Sequence, residues 1–154
     1  MTARELQKDV IEDLRELFKH TLYQTPDGGQ SVLNFFEQFL PQLESDDDDD
    51  PYPYLIVRVD SGGIATQTDP HKIALLLVIG IYDDKEITHG HEAVLEIIER
   101  IQRHYEETPA LKEFVFTDPF EWALQDELHW PYYFGAVNVT FDAPAPRAKW
   151  SDLV

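Results

Sequence analysis

Cysteine is absent from this chain. That excludes a disulfide framework and any thiolate-held metal cluster, and it suits a reducing compartment. Basic residues are scarce: twelve Lys and Arg stand against thirty Asp and Glu, for a formal charge of −18. No cation lies between Lys19 and Arg58, or between Lys112 and Arg147. Affinity for nucleic acid comes largely from Lys and Arg displacing counterions, so DNA, RNA and anionic lipid are disfavoured as ligands. A protein that DNA must pass without adhering is compatible with this charge, because repulsion then helps. Long apolar runs are missing as well. The longest, Ile73 to Tyr82, has ten residues, whereas a membrane helix needs about 20. It reads as a buried strand, apolar on both faces. The first residues, Met1 to Asp9, are charged and hold no signal-peptide apolar stretch, so a soluble chain is expected.

What is present supports a folded core. Of the 154 residues, 43% are hydrophobic and 12% aromatic, enough for one compact domain. Thr2-Ala-Arg-Glu5 has the form of a capping box. Leu6, Val10, Leu14, Leu17 and Phe18 follow at helical spacing, predicting a helix to about Leu22 that stops near the turn Pro26-Asp-Gly-Gly29. Ser31 to Leu40 reads as a strand from its aromatic and β-branched content. Tyr54 to Val59 predicts a second strand, closed by a turn at Ser61-Gly-Gly63, and Lys72 to Tyr82 a long central one. Val94, Leu95, Ile98, Ile101 and Tyr105 mark a second helix from near His91 to about Glu107. Glu113 to Phe116 and Phe120 to Leu128 suggest two further strands. In the last strand, Tyr133, Gly135, Val137, Val139 and Phe141 share one face while Asn138, Thr140 and Asp142 share the other. The order predicts an α+β fold, with two main helices packed on a largely antiparallel sheet. Residues 1–142 form the expected domain. The Pro- and Ala-rich segment 143–154 reads as a flexible tail on which Trp150 is a candidate anchor.

Candidate chemistry is thin. The run Glu44-Ser-Asp-Asp-Asp-Asp-Asp50 places six carboxylates in seven residues. A calcium loop alternates its ligands around a glycine and adds a distal glutamate. Asp46, Asp47, Asp48, Asp49 and Asp50 lack both, and adjacent acids repel, so the run reads as a solvated loop. His89-Gly-His91-Glu92 could hold zinc or iron if kept on a strand, with His104 or His129 as further ligands; it falls instead where a loop meets a helix. That leaves a metal-dependent enzyme using His89 and His91 as an alternative, and loop and helix-start residues as the simpler reading. Ser31, Ser45, Ser61 and Ser151 lie in no nucleophile-elbow sequence, and no glycine-rich phosphate loop is present. Trp130-Pro-Tyr-Tyr-Phe134 could offer a sugar platform, although such aromatic density is more often core or subunit contact. The residues themselves nominate no catalytic group, cofactor site or metal site, so the chain is expected not to be an enzyme.

Several stretches together resemble a known family. Ile73-Ala-Leu-Leu-Leu-Val-Ile-Gly-Ile-Tyr-Asp83 leads through the Gly90 loop into Val94-Leu-Glu-Ile-Ile-Glu-Arg-Ile101. Phe120-Glu-Trp-Ala-Leu-Gln125 then precedes Pro131-Tyr-Tyr-Phe-Gly-Ala-Val-Asn-Val-Thr-Phe141, and Phe36-Glu-Gln-Phe-Leu-Pro-Gln42 and Pro53-Tyr-Leu-Ile-Val-Arg58 fit upstream. Over roughly residues 32–143 the chain is similar to tail terminator or tail-completion proteins of tailed bacteriophages and prophages. The resemblance implies a structural subunit that closes into a homo-oligomeric ring, often a hexamer, at the head-proximal end of the tail tube. Such a ring ends tube polymerisation and joins tail to head, with the tail tube protein and head–tail connector or neck proteins as partners. It implies assembly in the host cytoplasm and residence in the virion, with DNA passing but not bound. Residues Asp46 to Asp50 are then candidates to line the lumen. A neck or connector component is the nearest alternative. The family's expected aromatic residue is missing at the His91-Glu92 helix start, and the aspartate run is longer than its pattern requires.

Overall fold

The structure, a computed structural model, describes residues 2–41, 50–85 and 87–144. Helix α1 spans Ala3–Leu17 and α2 spans His91–Glu107. The strands are β1 (Tyr23–Gln24), β2 (Gln30–Ser31), β3 (Asn34–Glu37), β4 (Tyr54–Gly63), β5 (His71–Tyr82), β6 (Ala110–Leu111), β7 (Phe114–Leu124) and β8 (Tyr132–Ala143). β1 and β2 make a two-stranded ribbon across a turn in which Gly28 takes φ +92°. The other six form one sheet in the order β3-β4-β5-β8-β7-β6, antiparallel except for the parallel pair β3–β4. The fold is α+β, with the sheet mixed.

Both helices lie on the same face of the sheet. Thr2 caps α1, its hydroxyl accepting the Glu5 amide at 3.2 Å, and Leu6, Val10, Leu14 and Phe18 are buried from the helical stripe. From α2 come Val94, Ile97, Ile98, Ile101 and Tyr105. Beneath them the inward residues of β5 (Ile73, Leu75, Leu77, Ile79, Ile81) register with Phe141, Val139, Val137, Gly135 and Tyr133 of β8. One apolar cluster therefore runs from Leu6 to Ala143. Each fully buried side chain of this size stabilises the fold by about 1.5–3 kcal/mol.

α1 reaches both ends of the strand order. Lys8 Nζ lies 3.3 Å from Glu37 of β3, and Lys112 Nζ, in the β6–β7 turn, lies 3.0 Å from Asp9. This is geometrically consistent only with a sheet that curls around its helices. The second face of the sheet is then convex. Leu76 and Val78 of β5 and Phe134 and Ala136 of β8 are half-buried there, so the central strand is apolar on both faces but covered by helices on one.

Five boundaries differ from expectation, each for a tertiary reason. α1 ends at Leu17 because Arg100 of α2 captures its C-terminal end. That guanidinium donates to the Leu17 carbonyl at 2.9 Å and the Thr21 hydroxyl at 2.8 Å, and stacks 4.5 Å from the centre of the Phe18 ring. β3 stops at Glu37 because Gln38 turns to φ +65°. The Gln38 side-chain amide then pairs with β4 like a peptide group, accepting from Val59 N at 2.7 Å and donating to Val59 O at 3.2 Å. Buried Gln7 completes the network with bonds of 2.7 Å to Gln38 Oε1 and to the Val57 carbonyl. β4 does not turn at Ser61: Gly62 and Gly63 stay paired with Ile73 and Lys72, and the turn follows them. The segment expected as two strands is the single strand β7, with a register shift between Thr117 and Glu121 beside Pro119. Ala143, expected in the tail, pairs with His71 in the sheet; residues 145–154, Trp150 included, lie outside the described residues.

Candidate functional site

The His89-Gly-His91-Glu92 segment forms the start of α2. His89 Nδ1 lies 3.0 Å from Glu92 Oε1 across the first turn, both side chains well exposed. Gly90 has a packing role. The Tyr133 ring lies on it so closely that a Cβ there would come within 2.1 Å of ring carbon, and the Tyr133 hydroxyl donates to the Ile87 carbonyl at 2.8 Å. His104 is thirteen residues beyond His91 on the same helix, about 20 Å along its axis at 1.5 Å per residue, and pairs with Asp13 of α1 at 2.8 Å. His129 stacks edge-on to Phe134 in the β7–β8 turn. Among the described residues no three His, Asp or Glu side chains come together as a metal site would require. Of the aspartate run, Asp50 is exposed and accepts the Tyr52 amide at 3.1 Å; Asp46, Asp47, Asp48 and Asp49 lie outside the described residues. Of the serines, the Ser31 hydroxyl donates to the adjacent Val32 carbonyl at 2.8 Å.

The convex face holds what the sequence reading passed over. Tyr52 and Tyr54 meet at a ring separation of 5.1 Å, Tyr52 and Tyr132 at 4.7 Å, and Tyr82 and Tyr132 at 5.6 Å, with Phe134 at the rim of the cluster. Gly80 makes room for it, since Tyr54 lies flat over the glycine in the middle of β5. Burial, reinforced by the neighbouring Tyr54, holds the Tyr52 hydroxyl well above the usual phenol range. The Tyr52 hydroxyl therefore keeps its proton across the physiological range. The signal in the sequence was the pair Tyr52-Pro-Tyr54 and Tyr132-Tyr-Phe134 flanking a lone glycine in an apolar strand. The Trp130 to Phe134 segment divides accordingly: Tyr133 is core, Tyr132 and Phe134 join this cluster, and Trp130 is exposed.

Two open grooves border the same face. One, of about 570 Å³, is lined by Asn34, Phe36, Asp50 and Tyr52 among others. The other, of about 740 Å³, lies between Gly62, Ile64, Lys72 and Thr140. Asp27, at the rim of the first, is held below the ordinary carboxylate range by the Thr25 hydroxyl and the Gly29 amide. Its bonds are local and satisfied. Among the described residues no helix is long and apolar enough to cross a membrane. No protein-family model matches the chain, and no curated protein matches it in sequence.

Proposed function

We propose that this chain is a structural subunit of a bacteriophage tail, a terminator or completion protein that associates into a ring, by expectation a hexamer, at the head-proximal end of the tube. In that position it ends tube growth and meets the neck. The observation that supports the reading best is the convex sheet face. Leu76, Val78, Phe134 and Ala136 stand half-buried beside a tyrosine cluster, on the side of the sheet that neither helix covers. Contiguous apolar surface with aromatic residues at its centre is typical of subunit contacts.

The charge fits the same role. Six chains at −18 would together carry about −108, a field that keeps passing DNA from adhering. Nothing in this role requires a cofactor or bond-breaking chemistry. Electron microscopy of lysates from a gene deletion tests it. Overlong tails mark loss of termination, and tails of normal length beside unjoined heads mark a neck role instead. Normal tails already joined to heads would remove the proposal.

A further inference from the structure

The outer edge of the sheet at β7 is open. β6 pairs with β7 at Phe114 and Val115, the Phe116 amide donates to the Pro109 carbonyl at 2.8 Å, and among the described residues no strand pairs with the edge beyond. The Gln125 amide donates inward to the Phe134 carbonyl at 3.2 Å. Since strand residues alternate, Glu121 and Ala123 also turn their backbone groups inward, and Trp122 and Leu124 turn theirs outward. Trp122 is 51% exposed on this edge. Next to it a groove of about 240 Å³ is lined by Ile87, Leu124, Leu128 and Phe134, large enough to seat an apolar side chain. Open edges of this kind are ordinarily blunted by lysine, proline or a cover. Here Pro119 sits before the open stretch and no lysine or arginine lies anywhere on the hairpin.

The charge around the edge has one sign. Asp118, Glu121, Asp126 and Glu127 are all exposed, and the segment from Glu113 to Pro146 contains no Lys or Arg. Acids elsewhere that have a close Lys include Asp9, Glu12, Glu16, Glu37 and Asp142. A second copy of this chain is a poor occupant, because pairing two β7 edges would bring two strips together whose exposed charges are all acidic.

We infer that the β7 edge accepts an extended segment of a different protein, one that carries lysine or arginine on one side of the strand and an apolar side chain on the other. The segment adds to the sheet through the backbone groups of Trp122 and Leu124. Its apolar side chain enters the Ile87–Leu128 groove, and its cations face Glu121 and the acids of the β7–β8 turn. Main-chain hydrogen bonds supply affinity and the alternate side chains supply selectivity. The inference stands apart from the tail reading. If that reading holds, this edge is where a tube or neck protein adds its strand.

The test uses the full chain and a fluorescent peptide of about seven residues alternating lysine and valine, the length of an ordinary strand. Binding is followed by anisotropy at low salt. The expected result is saturable binding that weakens at least about tenfold in high salt. A glutamate–valine peptide and a fully N-methylated lysine–valine peptide should both fail to bind. Trp122→Pro removes an outward N–H without touching the pairing to β8 and should abolish binding, with Trp122→Ala weakening it. Circular dichroism confirms that each variant is folded, and the N-methyl comparison needs no variant. Equal binding of the N-methylated peptide, or no binding by the lysine–valine peptide, overturns the inference. So does self-association of the chain that Trp122→Pro abolishes.

Discussion

Replacing Gly80 with alanine should destabilise the protein through one identifiable contact. An added Cβ would lie 2.2 Å from Cε2, 2.3 Å from Cζ and 2.7 Å from the hydroxyl of Tyr54. Ordinary carbon contacts need about 3.5–4.0 Å, so the ring must retreat by more than an ångström. Tyr54 is only 4% exposed, and Tyr52 stacks on it at 5.1 Å, so the retreat disturbs the whole tyrosine cluster. Overpacking of this kind costs about 1–3 kcal/mol, and loosened ring pairs add about 0.5–1.5 kcal/mol. Against this stands a gain of about 0.4–1 kcal/mol from restricting the unfolded chain. The net expectation is a loss of about 2 kcal/mol, read as a lower urea midpoint at unchanged slope. The double mutant decides the cause. With Tyr54→Ala in place the methyl group has room, so Gly80→Ala should become nearly neutral or stabilising. If Gly80→Ala costs the same with and without Tyr54, the steric reasoning is wrong, and the glycine serves some property of the strand backbone.

Three further outcomes follow from named contacts. Gln38→Gly keeps the left-handed turn but deletes the side-chain amide that pairs with Val59 and Gln7. It should cost about 1–3 kcal/mol, with Gln38→Ala worse because of the positive φ; denaturant midpoints of both variants check the order. Burial pushes the Tyr23 hydroxyl up to about 12, partly opposed by the Arg100 charge. The folded state then holds that proton after the unfolded state has lost it. Stability should be full below about pH 10 and fall as pH rises toward 12; Tyr23→Phe should flatten part of that fall in alkaline melts. Replacing Asp46 to Asp50 with asparagine removes charge without touching any described core contact, so the melting temperature should shift little. If the acidic run lines a lumen, particles assembled with that variant should show altered DNA retention or ejection.

The two long helical patterns and the last strand were legible because each buries one stripe, and burial imposes a period on the sequence. His91–Glu107 and the alternation from Tyr133 to Phe141 were read nearly as they stand. The strands that were misjudged depend on partners far away in the chain. Nothing within Ser31 to Leu40 says that Gln38 will imitate a peptide group for Val59, twenty-one residues on. Likewise, Ser61-Gly-Gly63 has turn composition, yet the hydrogen bonds offered by Ile73 and Lys72 hold it extended. The site was less legible still. The His89-Gly-His91 segment was read as loop and helix start, but nothing near it announced that Tyr133 would lie on Gly90, and the tyrosine cluster joins residues from three separate strands.

By itself, then, the sequence determined the charge, the helices, the alternating strands and the exclusion of thiolate chemistry, because composition and periodicity are properties of a linear chain. Only the tertiary structure decided that both helices cover one face, that the apolar central strand leaves its other face half-buried, and that among the described residues β7 keeps an unpaired edge. Those facts depend on which strands become neighbours. That choice is made by the packing of the whole chain, and no local stretch encodes it.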